Sequence, residues 1–240
     1  MAGGKGTRLY PVTKVVNKHL LPVHDKPMIY YPLSTLIRLG HKIIYIITNK
    51  ENIDKFKLII KDLKKKNVKI FFRSQQKPKG IADGFKILKK EIRGKKVSLI
   101  LGDNLFISNF NNLNKKINDG CTLVATRVRQ PENYGVIEKK RDKVFLIKEK
   151  PKNPKSNLIA TGLYFYDENL LKYLERINFS SRGELEITSL NMQYVKEKKC
   201  MIYELRGDDI WQDLGTFDDL IEANILLRSI KSKRFLDYGI

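Results

Sequence analysis

The sequence predicts an α/β fold, and three observations predict it. Short β-branched and aromatic runs alternate with helical periodicity through the first half, strand patterns crowd together after Gly120, and a helical stripe follows near the end. Alternation of strand and helix calls for parallel strands joined by crossover helices.

The elements follow in order. Ile43-Ile44-Tyr45-Ile46-Ile47-Thr48, Lys69-Ile70-Phe71-Phe72 and Val97-Ser98-Leu99-Ile100-Leu101 each read as a buried strand. Between them, Ile53, Phe56, Ile60 and Leu63 recur at spacings of three and four, as do Ala82, Phe85 and Leu88 after Gly80, so both intervals read as helices. After Gly120 strands are expected at 122–128, 134–138, 143–148 and 158–166. A helix over about 184–198, a strand near 201–205 and a helix carrying Leu220, Ala223, Leu227 and Ile230 on one face complete the pattern. No linker rich in Gly, Pro or Ser interrupts it, and no repeat recurs.

Composition narrows the class. The 240 residues hold 42% apolar and 10% aromatic side chains, enough to offset chain entropy, which excludes a disordered tail and collagen-like or repeat-array chains. No apolar run approaches the roughly 20 residues of a membrane span, and residues 1–25 contain Lys5, Arg8, Lys14 and Lys18 with no apolar stretch of signal-peptide length. A soluble cytoplasmic protein without a membrane partner is expected. Cys121 and Cys200 have no spacing suited to a zinc site or a disulfide framework, and read as buried free thiols.

Net charge is +21, the footprint of a nucleic-acid binder. The excess comes from 35 Lys against 12 Arg, scattered over every segment, so a chain-wide bias is the reading and no nucleic-acid partner is expected. Lys64-Lys65-Lys66 and Lys139-Lys140-Arg141 are expected at solvated helix ends or hairpin tips.

The opening Ala2-Gly3-Gly4-Lys5-Gly6-Thr7-Arg8-Leu9-Tyr10-Pro11 packs three glycines, a hydroxyl and a cation closely together. Such a loop brings backbone N–H groups close to a phosphate, and Arg8 adds a forked donor. It is no Walker loop, and the dinucleotide fingerprint lacks its third glycine. A bare N-terminal tail is the alternative reading of these residues alone.

Further blocks follow. They are Val16-Asn17-Lys18-His19-Leu20-Leu21-Pro22-Val23, Asp25-Lys26-Pro27-Met28-Ile29-Tyr30-Tyr31-Pro32-Leu33, Leu101-Gly102-Asp103-Asn104, Tyr134-Gly135-Val136 and Lys148-Glu149-Lys150-Pro151. Then come Ala160-Thr161-Gly162-Leu163-Tyr164-Phe165-Tyr166, Arg182-Gly183-Glu184-Leu185-Glu186-Ile187-Thr188 and Trp211-Gln212-Asp213-Leu214-Gly215-Thr216. Together they resemble the sugar-phosphate nucleotidyltransferases, most closely those that act as glucose-1-phosphate thymidylyltransferases. The blocks cover nearly the whole chain in family order.

The resemblance implies a Rossmann-like mixed, mainly parallel sheet flanked by helices, with a β-rich sugar-binding region. It implies a single nucleotidyltransferase domain, residues 1–120 forming the nucleotide-binding half and 121–240 the sugar-phosphate-binding half. The implied reaction joins dTTP and glucose 1-phosphate to give dTDP-glucose and pyrophosphate, Mg²⁺ dependent, feeding deoxysugar and surface-polysaccharide synthesis. Asp103, just after an apolar strand, and Asp213, in a second strand-end turn, are the expected Mg²⁺ ligands, because that hard cation takes a few carboxylates plus substrate phosphate oxygens. Arg8 should hold the β- and γ-phosphates, and Lys18 the α-phosphate. Gly3, Gly4, Gly6 and Thr7 form the implied phosphate loop, while Gln75 and Gly80 match the positions that receive the base.

On the sugar side, Tyr134, Gly135, Glu149, Lys150, Thr161 and Gly162 match the family's hexose-phosphate positions. Tyr164 and Tyr166 read as core more readily than as pocket lining. Ser74-Gln75-Gln76-Lys77-Pro78-Lys79-Gly80 departs from the usual wording at Gln76, Lys77 and Lys79, and a buried Gln serves thymine and uracil alike. Uridylyl or cytidylyl transfer to another hexose 1-phosphate therefore stays open, as does an inactive nucleotide-binding homologue.

Two departures carry expectations. The family places an apolar strand immediately before the Gly-rich loop, and Met1-Ala2-Gly3 opens with none, which predicts unpaired strand edges and a frayed loop, from a late-placed start or a truncation. The sequence ends at Ile240, short of a helical segment that longer members use for subunit contacts and product feedback. Altered regulation is expected, and homo-oligomer formation is left open.

Overall fold

The computed structural model describes residues 1–61, 67–77, 79–110, 113, 117, 119–141 and 143–230. In chain order it begins with β1 (Pro22–Val23), β2 (Lys26–Pro27), α1 (Tyr30–Arg38), β3 (Ile43–Thr48), α2 (Ile53–Ile60) and β4 (Lys69–Ser74). Then come α3 (Asp83–Ile87), α4 (Lys89–Ile92), β5 (Val97–Ile100), β6 (Asn104–Ile107), β7 (Cys121–Arg127), β8 (Gly135–Lys140), β9 (Lys143–Glu149) and β10 (Leu158–Tyr166). The remainder is α5 (Leu170–Leu174), α6 (Ile187–Lys196), β11 (Cys200–Glu204), β12 (Ile210–Asp213) and α7 (Phe217–Ser229).

These elements gather into two compact units that interleave in sequence. The first is Met1–Pro78, Ile100–Asn109 and Asp209–Ile240, and the second is Lys79–Leu99 and Phe110–Asp208.

In the first unit, β3 and β4 pair in parallel with α2 as the crossover, as the alternation predicts. β6 pairs antiparallel with β12, setting Asp213 opposite Asn104, the neighbour of Asp103. Val23, Met28, Tyr31, Leu105, Ile107, Leu214, Ala223 and Leu227 form the core beneath this pair, joined by Leu220 and Ile230 from the expected helical stripe. A capping box starts α7, Thr216 and Asp219 each accepting from the other's backbone N–H.

The first residues are anchored where fraying is expected. The Met1 amino group donates to Ile100 O at 2.9 Å, and Met1 O accepts from Gly102 N at 2.8 Å. Ala2 N donates to Ile47 O at 2.7 Å, and Ala2 O accepts from Thr48 Oγ1 at 2.8 Å. These four hydrogen bonds, three to backbone and one from the Thr48 hydroxyl, tie down the two residues before the glycines.

The second unit carries a mixed sheet in the order β11-β7-β10-β8-β9, with β5 also on β10. β11 runs parallel to β7, while β7, β10, β8 and β9 pair antiparallel. Of these antiparallel pairs, β8 and β9 are joined directly by a short turn, the connection that antiparallel strands allow. Arg141, at φ +48°, turns the β8–β9 hairpin at the expected tip, while Lys64-Lys65-Lys66 and Leu63 lie outside the described residues. Every residue of β10 is buried. Tyr166 packs edge-on against Phe85, and its hydroxyl donates to Asn191 Oδ1 at 2.7 Å, so Tyr164 and Tyr166 belong to the core. No described helix is long and apolar enough to cross a membrane.

Candidate active site

The site in the first unit begins with the glycine loop. Gly6 sits at φ +63° and caps a short 3-10 turn over Thr7–Leu9. A Cβ there would lie 3.1 Å from Lys18 Cβ and 3.2 Å from Thr13 Cγ2, so conformation and space both require glycine. The turn buries Leu9 and leaves Arg8 facing outward, its Nη2 3.7 Å from Asp213 Oδ2. The Arg8 guanidinium lies directly over Gly215, leaving no room for a Cβ at that position.

Lys18 opens another 3-10 turn, Lys18–Leu20, whose cap is Asn17. Asn17 Oδ1 accepts from His19 N at 3.0 Å and from His19 Nδ1 at 2.8 Å, while its Nδ2 donates to Ala2 O at 3.4 Å. This knot ties the lysine turn to the chain before the glycine loop. The Lys18 ammonium donates to Asp103 Oδ2. Asp103 follows β5, and its carbonyl accepts from Leu214 N at 2.8 Å, binding the turn that carries Asp103 to the end of β12.

Electrostatics separate the two acids. Burial pushes the Asp103 carboxyl up, but Lys18, with its charge and its hydrogen bond, more than offsets this and holds it well below the usual range. Asp213 moves the opposite way: burial and then the charge of Asp103 raise it to about 7, against Lys18 and Arg8. His19 is driven down to about 3, first by burial and then by Lys18, so it stays neutral beside the pair.

Two mutually repelling carboxylates suit a divalent cation, whose charge relieves the repulsion. Among the described residues no group of three or more His, Cys, Asp or Glu is placed to hold a metal, so a cation bound by these two acids would need further ligands from water or substrate oxygens. Gln75 is buried at the end of β4, its Oε1 3.5 Å from where a Cβ on Gly3 would stand.

In the second unit a separate polar cluster surrounds Glu149. Its Oε2 accepts from Thr188 Oγ1, its Oε1 lies 3.6 Å from Arg182 Nη2, and Arg182 also holds Glu186 at 2.8 Å. Gly135 pairs with Glu149 across β8 and β9, and a Cβ on it would stand 3.3 Å from Thr188 Oγ1. Lys150, at φ +43°, donates its N–H to Tyr134 O at 3.0 Å. Thr161 Oγ1 donates to Val124 O at 2.8 Å, and with Gly162 it occupies the β10 irregularity between Ala160 and Tyr164. Gly80, at φ +94°, presses against the Leu185 backbone, where a Cβ would meet the amide N at 2.7 Å.

Comparison with known proteins decides the family. The nucleotidyl transferase family model matches residues 1–229. The chain belongs to the nucleotidyltransferase family. A glucose-1-phosphate thymidylyltransferase of Neisseria meningitidis is 39% identical over 97% of this chain and 82% of its own length. One from Mycobacterium tuberculosis is 37% identical over the whole chain and 85% of its own. A Bacillus anthracis structure described as a glucose-1-phosphate thymidylyltransferase, in complex with a sucrose, superposes with a TM-score of 0.89 at 36% identity, covering 98% of this chain and 96% of that one. A UDP-glucose pyrophosphorylase complexed with UDP-glucose shares the fold, with a TM-score of 0.80 at 22% identity.

The nucleotidyltransferase residues expected from sequence fall into two groups. Gly3, Gly4, Gly6, Thr7, Arg8, Lys18, Gln75, Asp103 and Asp213 lie in the first unit, and Gly80, Tyr134, Gly135, Glu149, Lys150, Thr161 and Gly162 in the second. Asp213 joins the first group although it lies beyond residue 120, because β12 pairs with β6. Sequence reasoning missed Thr188 and Arg182 as partners of Glu149, and Asn17 and His19 as the knot behind Lys18. All four stand inside quoted family blocks, and Asn17 directly before a turn was the one legible signal.

Proposed function

We propose that the chain transfers a thymidylyl group from dTTP to glucose 1-phosphate, giving dTDP-glucose and pyrophosphate. The sugar-phosphate oxygen attacks the α-phosphorus, the bond to the β-phosphate oxygen breaks, and pyrophosphate leaves. The observation that carries this reading is the convergence of Asp103 and Asp213 with Lys18 and Arg8 on one end of the first unit. Phosphoryl transfer asks for such an arrangement, because positioning and charge neutralisation supply most of its catalysis.

Within this reading Asp103 and Asp213 hold Mg²⁺, which neutralises phosphate charge and orients the triphosphate when bound. Arg8, exposed at the edge of the pair, takes the β- and γ-phosphates, and Lys18 offsets charge at the α-phosphate. The backbone of Gly3 to Thr7 cradles the phosphates. In the first unit Gln75 receives the pyrimidine. In the second unit Glu149 accepts from sugar hydroxyls and Lys150 pairs with the sugar phosphate, with Tyr134, Gly135, Thr161 and Gly162 shaping that surface. The names of the relatives at 37–39% identity favour dTTP and glucose 1-phosphate over other pairs. A cytoplasmic setting is part of the reading, since a nucleoside triphosphate is the substrate.

Pyrophosphate release with dTTP, UTP or CTP, each against a panel of hexose 1-phosphates, tests this. The highest kcat/KM is expected for dTTP with glucose 1-phosphate. Preference for another pair moves the assignment to that pair, and binding without pyrophosphate release rejects the activity.

A further inference from the structure

The two cysteines, 79 positions apart in sequence, are neighbours in space. Cys121 opens β7, Cys200 opens β11, and the parallel register sets them directly opposite each other. Adjacent strands lie about 4.8 Å apart, within the roughly 4.4–6.8 Å that Cα atoms of a disulfide span, and opposed residues project to the same face. Neither cysteine is in a disulfide.

Their surroundings differ. Cys121 is 2% exposed, and burial first, then the neighbouring Cys200, pushes its thiol well up, so it is a poor first nucleophile. Cys200 is half-buried and lines a cavity of about 450 Å³ together with Lys139, Lys143, Lys198 and Arg206. Glu204, the carboxylate among the described lining residues, is already engaged by Arg127 at 2.9 Å and lies 3.7 Å from Lys139. A half-buried thiol on a cationic cavity thus stands beside a second, fully buried one.

We propose that Cys200 and Cys121 form a reversible dithiol site that takes an anionic low-molecular-weight disulfide. The Cys200 sulfur attacks one sulfur of the small disulfide, whose S–S bond breaks, and the first small thiol leaves with the proton that Cys200 gives up. The Cys121 sulfur then displaces the second small thiol from Cys200, which leaves with the Cys121 proton, and the Cys121–Cys200 bond forms. Two protein thiols lose two electrons, and one small disulfide becomes two thiols. The surrounding cations raise the local concentration of an anionic reagent.

The test treats the reduced full chain with oxidised glutathione or with cystamine, a cationic disulfide, at low salt, followed by non-reducing peptide mapping. A linked Cys121–Cys200 peptide is expected, cleaved again by dithiothreitol. Cys121→Ala should retain glutathione on Cys200, and Cys200→Ala should leave Cys121 unmodified. The glutathione-to-cystamine rate ratio should fall about tenfold or more in the Lys143→Glu/Lys198→Glu variant. A glutathione adduct that persists on Cys200 in the unaltered chain, no modification at all, or modification of Cys121 in Cys200→Ala overturns the dithiol site. An unchanged rate ratio overturns the anionic reagent. Should Cys121→Ala fail to fold, the peptide map of the unaltered chain still decides.

Discussion

Lys18 donates to Asp103 across 85 positions of sequence, with only 10% and 15% of the two side chains exposed. The pair is held from both sides: the Asn17 cap fixes the lysine turn, and the Leu214 N–H fixes the Asp103 carbonyl. A buried ion pair of this kind is costly to break, because removing one partner strands the other charge.

Lys18→Met should therefore cost stability and turnover together. A loss of about 3 kcal/mol in urea unfolding at pH 7 is expected, with kcat down by about 10² or more, the scale of a lost charge donor. An unchanged urea midpoint alongside normal kcat would separate Lys18 from both roles.

Gly215→Ala tests Arg8 without touching its charge. The new methyl occupies the space of the guanidinium, and that flexible end moves more readily than backbone. Melting temperature should stay nearly unchanged while kcat falls at least about tenfold, since a displaced donor forfeits part of its transition-state interaction. Equal kcat in both proteins would mean that Arg8 acts from another position.

Thr188→Val removes the hydroxyl that donates to Glu149. With Arg182 still 3.6 Å away, the carboxylate keeps a charge partner but loses its orientation. KM for the sugar phosphate should rise about tenfold, as for one lost hydrogen bond to a charged group, with KM for the nucleotide unchanged. Equal changes in both constants would argue for a general structural effect.

His19 makes stability depend on acid. Its folded value is about 3 against an ordinary 6.5, so below pH 6.5 the unfolded chain binds a proton that the folded chain refuses. The contribution is complete above 6.5 and declines as pH falls, by about 1.4 kcal/mol per unit. Between pH 7.5 and 4.5 the unaltered chain should lose roughly 2 to 3 kcal/mol more than His19→Gln. Parallel stability curves would place the proton elsewhere.

Much of this was legible in the sequence, for reasons that differ by element. The runs 43–48 and 158–166 are read to the residue because both strands are apolar along nearly their whole length and turns bound them. The short pair β6 and β12 escaped, since four residues flanked by site motifs carry too little periodicity, although that pair brings Asp213 to Asp103. The Gly-rich loop was legible through Gly6, whose positive φ only glycine adopts at low cost, while its anchoring through Ala2 and Thr48 was not. The cysteines looked isolated because parallel register is a long-range property that no local pattern encodes.

The central claim is a cation shared by two carboxylates, and Mg²⁺-dependent pyrophosphate release by Asp103→Asn and Asp213→Asn tests it most directly. Each variant should lose nearly all turnover with dTTP and glucose 1-phosphate while its circular dichroism and cooperative unfolding remain. Full turnover by either variant at the same Mg²⁺ concentration would contradict it.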